Sequence, residues 1–209
     1  MATAVELNAV SNDGRDTLEM SLPYIVQVTI EGASAFLFHR WSVDGVAAKA
    51  KAAKGSRAKK EDDTESYLYR NEDGSICLPS EYLRMSIINA ARYRQDPRSP
   101  RKSAMDLFKA AIVGLEELCV LTNKLGEPFT QPEYIDRRRV TVQRNGLTRH
   151  RPALHSGWKS TVPLMCNLPE YVTPQLLNEV VQSAGRLIGV GDFRPTFGRF
   201  VVTEFKQTD

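Results

Sequence analysis

Two stretches of this chain carry side chains whose types and spacing suit chemistry with a polyanion. The first is Gly185-Arg-Leu-Ile-Gly-Val-Gly-Asp-Phe-Arg-Pro-Thr-Phe-Gly-Arg-Phe-Val-Val202, where Gly185, Gly189, Gly191 and Gly198 are interleaved with Arg186, Arg194 and Arg199. Glycine lets the backbone take positive φ and lets a neighbour approach closely. Arginine supplies a planar fork of donors that matches phosphate oxygens. Together they make a candidate phosphate cradle; a tight turn with solvated charges is the competing reading. The spacing is not Gly-x-x-x-x-Gly-Lys-Ser/Thr, and Gly189-x-Gly191 does not continue to a third glycine, so neither nucleotide fingerprint is present. The second stretch, Asp136 to Pro152, carries Arg137, Arg138, Arg139, Arg144, Arg149 and Arg151 against one carboxylate. That is more asymmetry than a solubilising face needs, and it points to phosphate contacts.

Smaller groups extend the pattern. His39, Arg40 and Trp41 are adjacent, and Ala47 to Lys60 is almost all small or basic, with Lys49, Lys51 and Lys54 as candidate contacts. This tract has no apolar face to bury, so it reads as a solvated loop or as a nucleic-acid contact. Trp41, Tyr134 and Trp158 sit beside basic residues and are candidates for stacking on bases, with burial in the core as the alternative. Arg84 and Lys159 complete the candidate binding set. His39 and Asp44 are the weak candidates for catalysis, since a histidine can move protons near neutral pH. His150 and His155 read better as phosphate binders or loop caps. No His-x-Glu or Cys-x-x-Cys pattern calls for a metal, and no cofactor is implied.

The elements that must position these residues follow from periodicity and turn chemistry. Tyr24 to Glu31 reads as a half-buried strand. Glu65 to Leu78 reads as a hairpin turning at Asp73-Gly74. Ser80 is the expected N-cap of a helix bearing Leu83, Ile87, Ala90 and Ala91, ended by Pro97 and Pro100. Ser103 is the expected cap of a second helix, Ala104 to Leu115. The arginine stretch reads as a β-ribbon turning at Asn145-Gly146, with Arg137 and Arg139 on one face. Val162 to Cys166 is a strand that Pro163 demotes to an edge or a bulge. Thr173-Pro174 starts the last helix, with Thr as N-cap and Pro in the first turn. A final strand follows from Arg199 to Phe205. The order predicts an α+β domain, an antiparallel sheet with helices on one face, and a ferredoxin-like split β-α-β core.

Composition sets the frame. The 209 residues are 42% hydrophobic and 25% charged, with net charge +3, which fits one domain with large insertions. Residues 1–20 read as a flexible arm and 21–206 as a single domain, with inserts at 43–66 (a basic loop) and 126–160 (a basic hairpin). No run of about 18 apolar residues exists, and Met1 to Arg15 lacks a signal-type apolar core. Cys77, Cys119 and Cys166 lie far apart, as in a reducing cytoplasm.

Two of these segments bear a likeness to a known family. Gly74-Ser-Ile-Cys-Leu-Pro-Ser-Glu-Tyr-Leu-Arg-Met-Ser-Ile-Ile-Asn-Ala-Ala-Arg92 resembles the hairpin and basic helix of the RAMP superfamily of CRISPR proteins. Gly185 to Val202 resembles that superfamily's C-terminal glycine-rich loop. The closest subgroup is the Cascade-type backbone subunit. The resemblance implies a non-catalytic, RNA-recognition-type domain that oligomerises along single-stranded guide RNA, beside other subunits of a CRISPR-type ribonucleoprotein and within reach of target nucleic acid. It also makes 136–152 a thumb-like hairpin and 43–63 a flexible lobe. Two alternatives stay open: a metal-independent endoribonuclease, and a phage-encoded mimic that blocks a CRISPR complex by protein contacts.

Overall fold

The computed structural model describes residues 22–41, 47, 51, 63–142 and 145–208. The expected arm at 1–20, most of the basic insert with Asp44, Lys49 and Lys54, and Arg144 lie outside the described residues; Lys51 is exposed.

In chain order the elements are β1 (Tyr24–Gly32), β2 (Phe36–Leu37), one turn of 3-10 helix (Glu65–Tyr67), β3 (Cys77–Pro79), α1 (Ser80–Ala91), β4 (Gln95–Asp96), β5 (Ser99–Ser103), α2 (Met105–Ala111) and β6 (Ile112–Gly114). They continue as β7 (Leu118–Val120), β8 (Tyr134–Val142), β9 (Asn145–Leu154), β10 (Lys159–Cys166), α3 (Pro174–Leu187) and β11 (Phe200–Thr208). The fold is α+β. Four antiparallel strands form the main sheet in the order β11-β1-β10-β6, and β2-β9-β8 form a second sheet.

Strand β1 is the centre of this arrangement. Tyr24, Val26, Val28 and Ile30 are buried, while Gln27 between them is exposed, because successive side chains point to opposite faces. Val162, Leu164 and Cys166 of β10 join them in one core with Leu83, Ile87 and Ala91 of α1 and Leu177, Val180, Val181 and Ala184 of α3. The two helices pack against each other over this buried face. The start of α3 is as the sequence reads: Thr173 Oγ1 accepts from Leu176 N at 3.2 Å, with Pro174 in the first turn. Such a cap stabilises a helix by about 1 kcal/mol.

Several expectations shift. The hairpin at 65–78 reduces to a single bridge, Arg70↔Ile76, around a turn at Asn71–Gly74, and its first part is the 3-10 turn. Pro79, not Ser80, occupies the cap of α1, and Ala104, not Ser103, that of α2. The second helix stops at Ala111, because the β-branched Ile112 and Val113 pair with Cys166 and Met165 instead. Strand β10 is not an edge. The Pro163 carbonyl accepts from Leu115 N at 3.1 Å; nitrogen and oxygen of one strand residue face the same side, so the missing donor faces the end of short β6 and leaves β1 fully paired. Val142 pairs with Asn145, so the ribbon turns before Asn145-Gly146.

All three cysteines are buried. Burial pushes every thiol above its ordinary range, Cys119 up to about 12. The thiolate is the reactive form. A disulfide reagent at mildly alkaline pH is therefore expected to titrate no thiol in the native protein and all 3 in denaturant. A thiol that reacts natively would show that its strand opens locally.

Candidate nucleic-acid interface

The glycine-rich segment is a loop clipped onto the chain beside β2. Helix α3 ends with the N–H groups of Ile188 and Gly189 both donating to Ala184 O, at 3.0 and 2.9 Å. Val190 N then donates to Gly198 O at 2.9 Å, closing the loop on itself. Gly198 N donates to Ala35 O at 2.8 Å, and Asp192 N to Leu37 O at 3.0 Å. Gly189, Gly191 and Gly198 have φ of 76°, 78° and 71°, a region L side chains avoid. A Cβ on Gly191 would also lie 2.7 Å from Leu37 O. Close backbone approach, not an empty cradle, is what these glycines provide.

The ribbon meets this loop. Antiparallel register places Asp136 opposite Arg151 and Arg138 opposite Arg149, all on one face. Asp136 grips Arg138 through two hydrogen bonds, Nε to Oδ2 at 2.7 Å and Nη2 to Oδ1 at 3.0 Å. Arg151 is only 5% exposed, and its Nε donates to Asp192 Oδ2 at 2.5 Å. Its guanidinium lies 5.1 Å from the Phe193 ring, and that of Arg138 lies 4.3 Å from the Phe197 ring. Arg149 Nη1 is 3.4 Å from His39 Nε2. Arg40 lies over Tyr69 at 5.2 Å, and Trp41 stands 73% exposed at the rim. Tyr82 donates to the Tyr69 hydroxyl at 3.3 Å. Burial first, and then Tyr69, raise the Tyr82 phenol, which also feels Asp192 and Arg194.

The two basic stretches read separately in the sequence thus become one surface. Arg138 pairs with Asp136 and Arg151 with Asp192, Arg149 reaches His39, Arg40 lies over Tyr69, and Arg194 is close enough to act on the Tyr82 phenol. Among the described residues no carboxylate pairs with Arg40, Arg149 or Arg194. Arg137 and Arg139 are exposed on the opposite ribbon face, as alternation requires.

Other candidates fall elsewhere. Trp158 is not a stacking residue: it is 1% exposed, fills the space left by Gly32, and its Nε1 donates to Ser34 O at 3.0 Å. Arg84 is spent within the fold, donating to Ile112 O at 2.7 Å, Lys109 O at 2.9 Å and Glu81 Oε1 at 2.9 Å. Lys159 pairs with Glu31 at 3.3 Å. Arg186 lines a separate cleft of about 380 Å³ with Arg94, Glu179 and Phe200. Arg199 is exposed, its backbone N held by Ser34 Oγ at 2.9 Å. Tyr134 is half-buried and stacked on His155 with centroids 4.6 Å apart. The residues the sequence reading missed are Asp192, Phe193 and Phe197. Their signal was the run Asp-Phe-Arg-Pro-Thr-Phe between two of the glycines. Among the described residues no cluster of His, Cys, Asp or Glu is arranged to hold a metal, and no helix is long and apolar enough to cross a membrane.

No family profile and no curated protein sequence matches this chain. Solved structures similar to it include the following two. One is a chain of the type III-B Cmr-beta complex bound to cognate target RNA, with TM-score 0.48 and 7% identity over 90% of this chain and 61% of that one. The other is Cmr6 from Pyrococcus furiosus, with TM-score 0.42 and 8% identity over 90% of this chain and 100% of that one. This chain therefore spans 61% of the length of the first of them.

Proposed function

We propose that this chain is a non-catalytic RNA-binding subunit of a CRISPR-type ribonucleoprotein that coats single-stranded guide RNA by self-association. One observation carries the binding part. The arginine ribbon and the glycine-rich loop converge on one face through Arg151 and Asp192, leaving Arg40, Arg149 and Arg194 without carboxylate partners among the described residues. The CRISPR assignment rests on the two motif-like segments. The ferredoxin-like reading of the core is supported by the strand order β11-β1-β10-β6, with α1 between β1 and β6 and α3 between β10 and β11. That is the order of a split β-α-β unit. Self-association is supported by β11, a nine-residue strand at the sheet edge that pairs, among the described residues, with β1 on one side and with no strand on the other.

The test is single-strand binding as a function of salt. With about six phosphate contacts, affinity is expected to fall by roughly two to three decades between 50 and 200 mM salt. Replacing Arg40, Arg149 and Arg194 together by alanine is expected to weaken binding to every sequence and to flatten the log–log slope by about 2. Arg84→Ala, whose guanidinium is already occupied, is expected to leave that slope alone. An unchanged slope in the triple variant sinks the surface assignment. RNase-sensitive material of regular length, co-purifying at low salt, supports the coating role. Discrete cuts in labelled RNA under EDTA, lost in His39→Ala, would make the chain a nuclease instead. A nucleic-acid-free protein that captures effector subunits after nuclease treatment would make it a protein-directed inhibitor.

A further inference from the structure

Phe193 stands in a posture that its own packing does not require. Its ring is 41% exposed. Its backbone has φ 59°, and among the described residues it is the one non-glycine at positive φ. For a bulky side chain that region is strained, and strain persists only where the surroundings impose it.

Here they do. Asp192 N donates to Leu37 O, Asp192 Oδ1 accepts from Phe193 N at 2.9 Å, and Asp192 Oδ2 accepts from Arg151 Nε. Phe197 N closes the turn on Phe193 O at 3.2 Å. The fold thus holds the Phe193 ring outward, while Phe200 at the end of the same loop, 2% exposed, anchors it in the core. Over the ring lie the guanidinium groups of Arg138 and Arg151, 5.6 and 5.1 Å from its centroid, with Phe197 edge-on at 6.5 Å; the part of Phe193 they leave uncovered is what a base would meet.

We propose that Phe193 is a base-stacking platform for single-stranded nucleic acid, fixed on a strained loop so that a base lies on its ring while the adjoining phosphate meets exposed Arg194. The proposal rests on the nucleic-acid reading above and names the group that meets the bases. Its ligand is any nucleobase of an unpaired strand, because every base has a π-face. A protein partner would favour a ring ringed by apolar surface. This ring is flanked by exposed Arg194 and by the guanidinium groups of Arg138 and Arg151.

The experiment measures anisotropy of labelled homopolymeric RNA, and of the same backbone with abasic sites, at fixed low salt. Phe193→Ala is expected to weaken binding to the base-bearing strand by roughly 5- to 100-fold. Phe193→Trp is expected to retain or tighten it. The salt slope should not move, since no phosphate contact is lost, and on the abasic strand the difference between wild type and Phe193→Ala should vanish. Phe193→Gly relieves the backbone strain, so its melting temperature should stay at or above that of wild type while binding falls as in Phe193→Ala. If Phe193→Ala binds like wild type while Arg149→Ala weakens binding, stacking is overturned and the arginine surface stands. If wild type binds no single strand, both fall. A loss of binding in Phe193→Gly that tracks a lowered melting temperature would reduce the ring to a structural role.

Discussion

Gly198→Ala is expected to destabilise the protein by about 3–5 kcal/mol, combining the positive-φ penalty with forced backbone displacement. Gly198 has φ 71°, and a Cβ there would overlap the Val190 carbonyl oxygen. That oxygen belongs to the backbone, so no rotamer change can make room. The same residue donates its N–H to Ala35 and accepts from Val190 N, so moving it breaks both clasps of the loop. Against a typical total stability of about 5–15 kcal/mol, the loss is large. In a chain of this size it should lower the melting temperature by roughly 10 °C or more. Gly126→Ala is the control. Its φ is 86°, but nothing lies within 4 Å of an added Cβ, so only the conformational term of about 1 kcal/mol applies. Equal losses at the two sites, measured by urea denaturation, would mean that close approach at Gly198 contributes nothing.

The glycines illustrate what the sequence made legible. A segment that needs positive φ repeatedly must be built from glycine, so Gly189, Gly191 and Gly198 announced a special loop before any coordinates. Thr173-Pro174 announced a helix start, because both signals are local. The alternation that puts Arg137 and Arg139 on one ribbon face is equally local. What failed depended on distant partners. Arg84 is basic in the sequence, yet its fork is consumed by carbonyls 25 and 28 residues away. Trp158 sits beside a lysine, yet it fills a space provided by Gly32 at the end of β1. Residues 112–114 continue a helical pattern, yet they pair with β10 once that strand is present, as the β-branched Ile112 and Val113 favour. The candidate surface was visible as two separate pieces. Their meeting was not, because Arg151 and Asp192 are 41 residues apart and neither is unusual in its own neighbourhood.

The meeting of those pieces can be weighed by removing one partner. Asp192→Ala is expected to cost about 3 kcal/mol, since it strands a buried guanidinium. Arg151 is 5% exposed and its Nη1 has no hydrogen-bond partner among the described residues, so its charge already depends on Asp192. The Asp192 side chain is 29% exposed, so water recovers part of the loss and the lower end of the range for a buried pair applies. Asp192→Asn keeps the acceptor for Phe193 N and should cost less. The double variant Arg151→Met with Asp192→Asn removes the buried charge altogether. The apolar Met takes the buried position, where loss of an ion pair is often neutral, and the partly exposed Asn keeps contact with water, so stability should return to within about 1 kcal/mol of wild type. Additive losses in the double variant would show that the two side chains are not coupled. Recovery of stability without recovery of single-strand binding would assign the pair its role: it fastens the loop to the ribbon, and the interface, not the fold, is what that fastening serves.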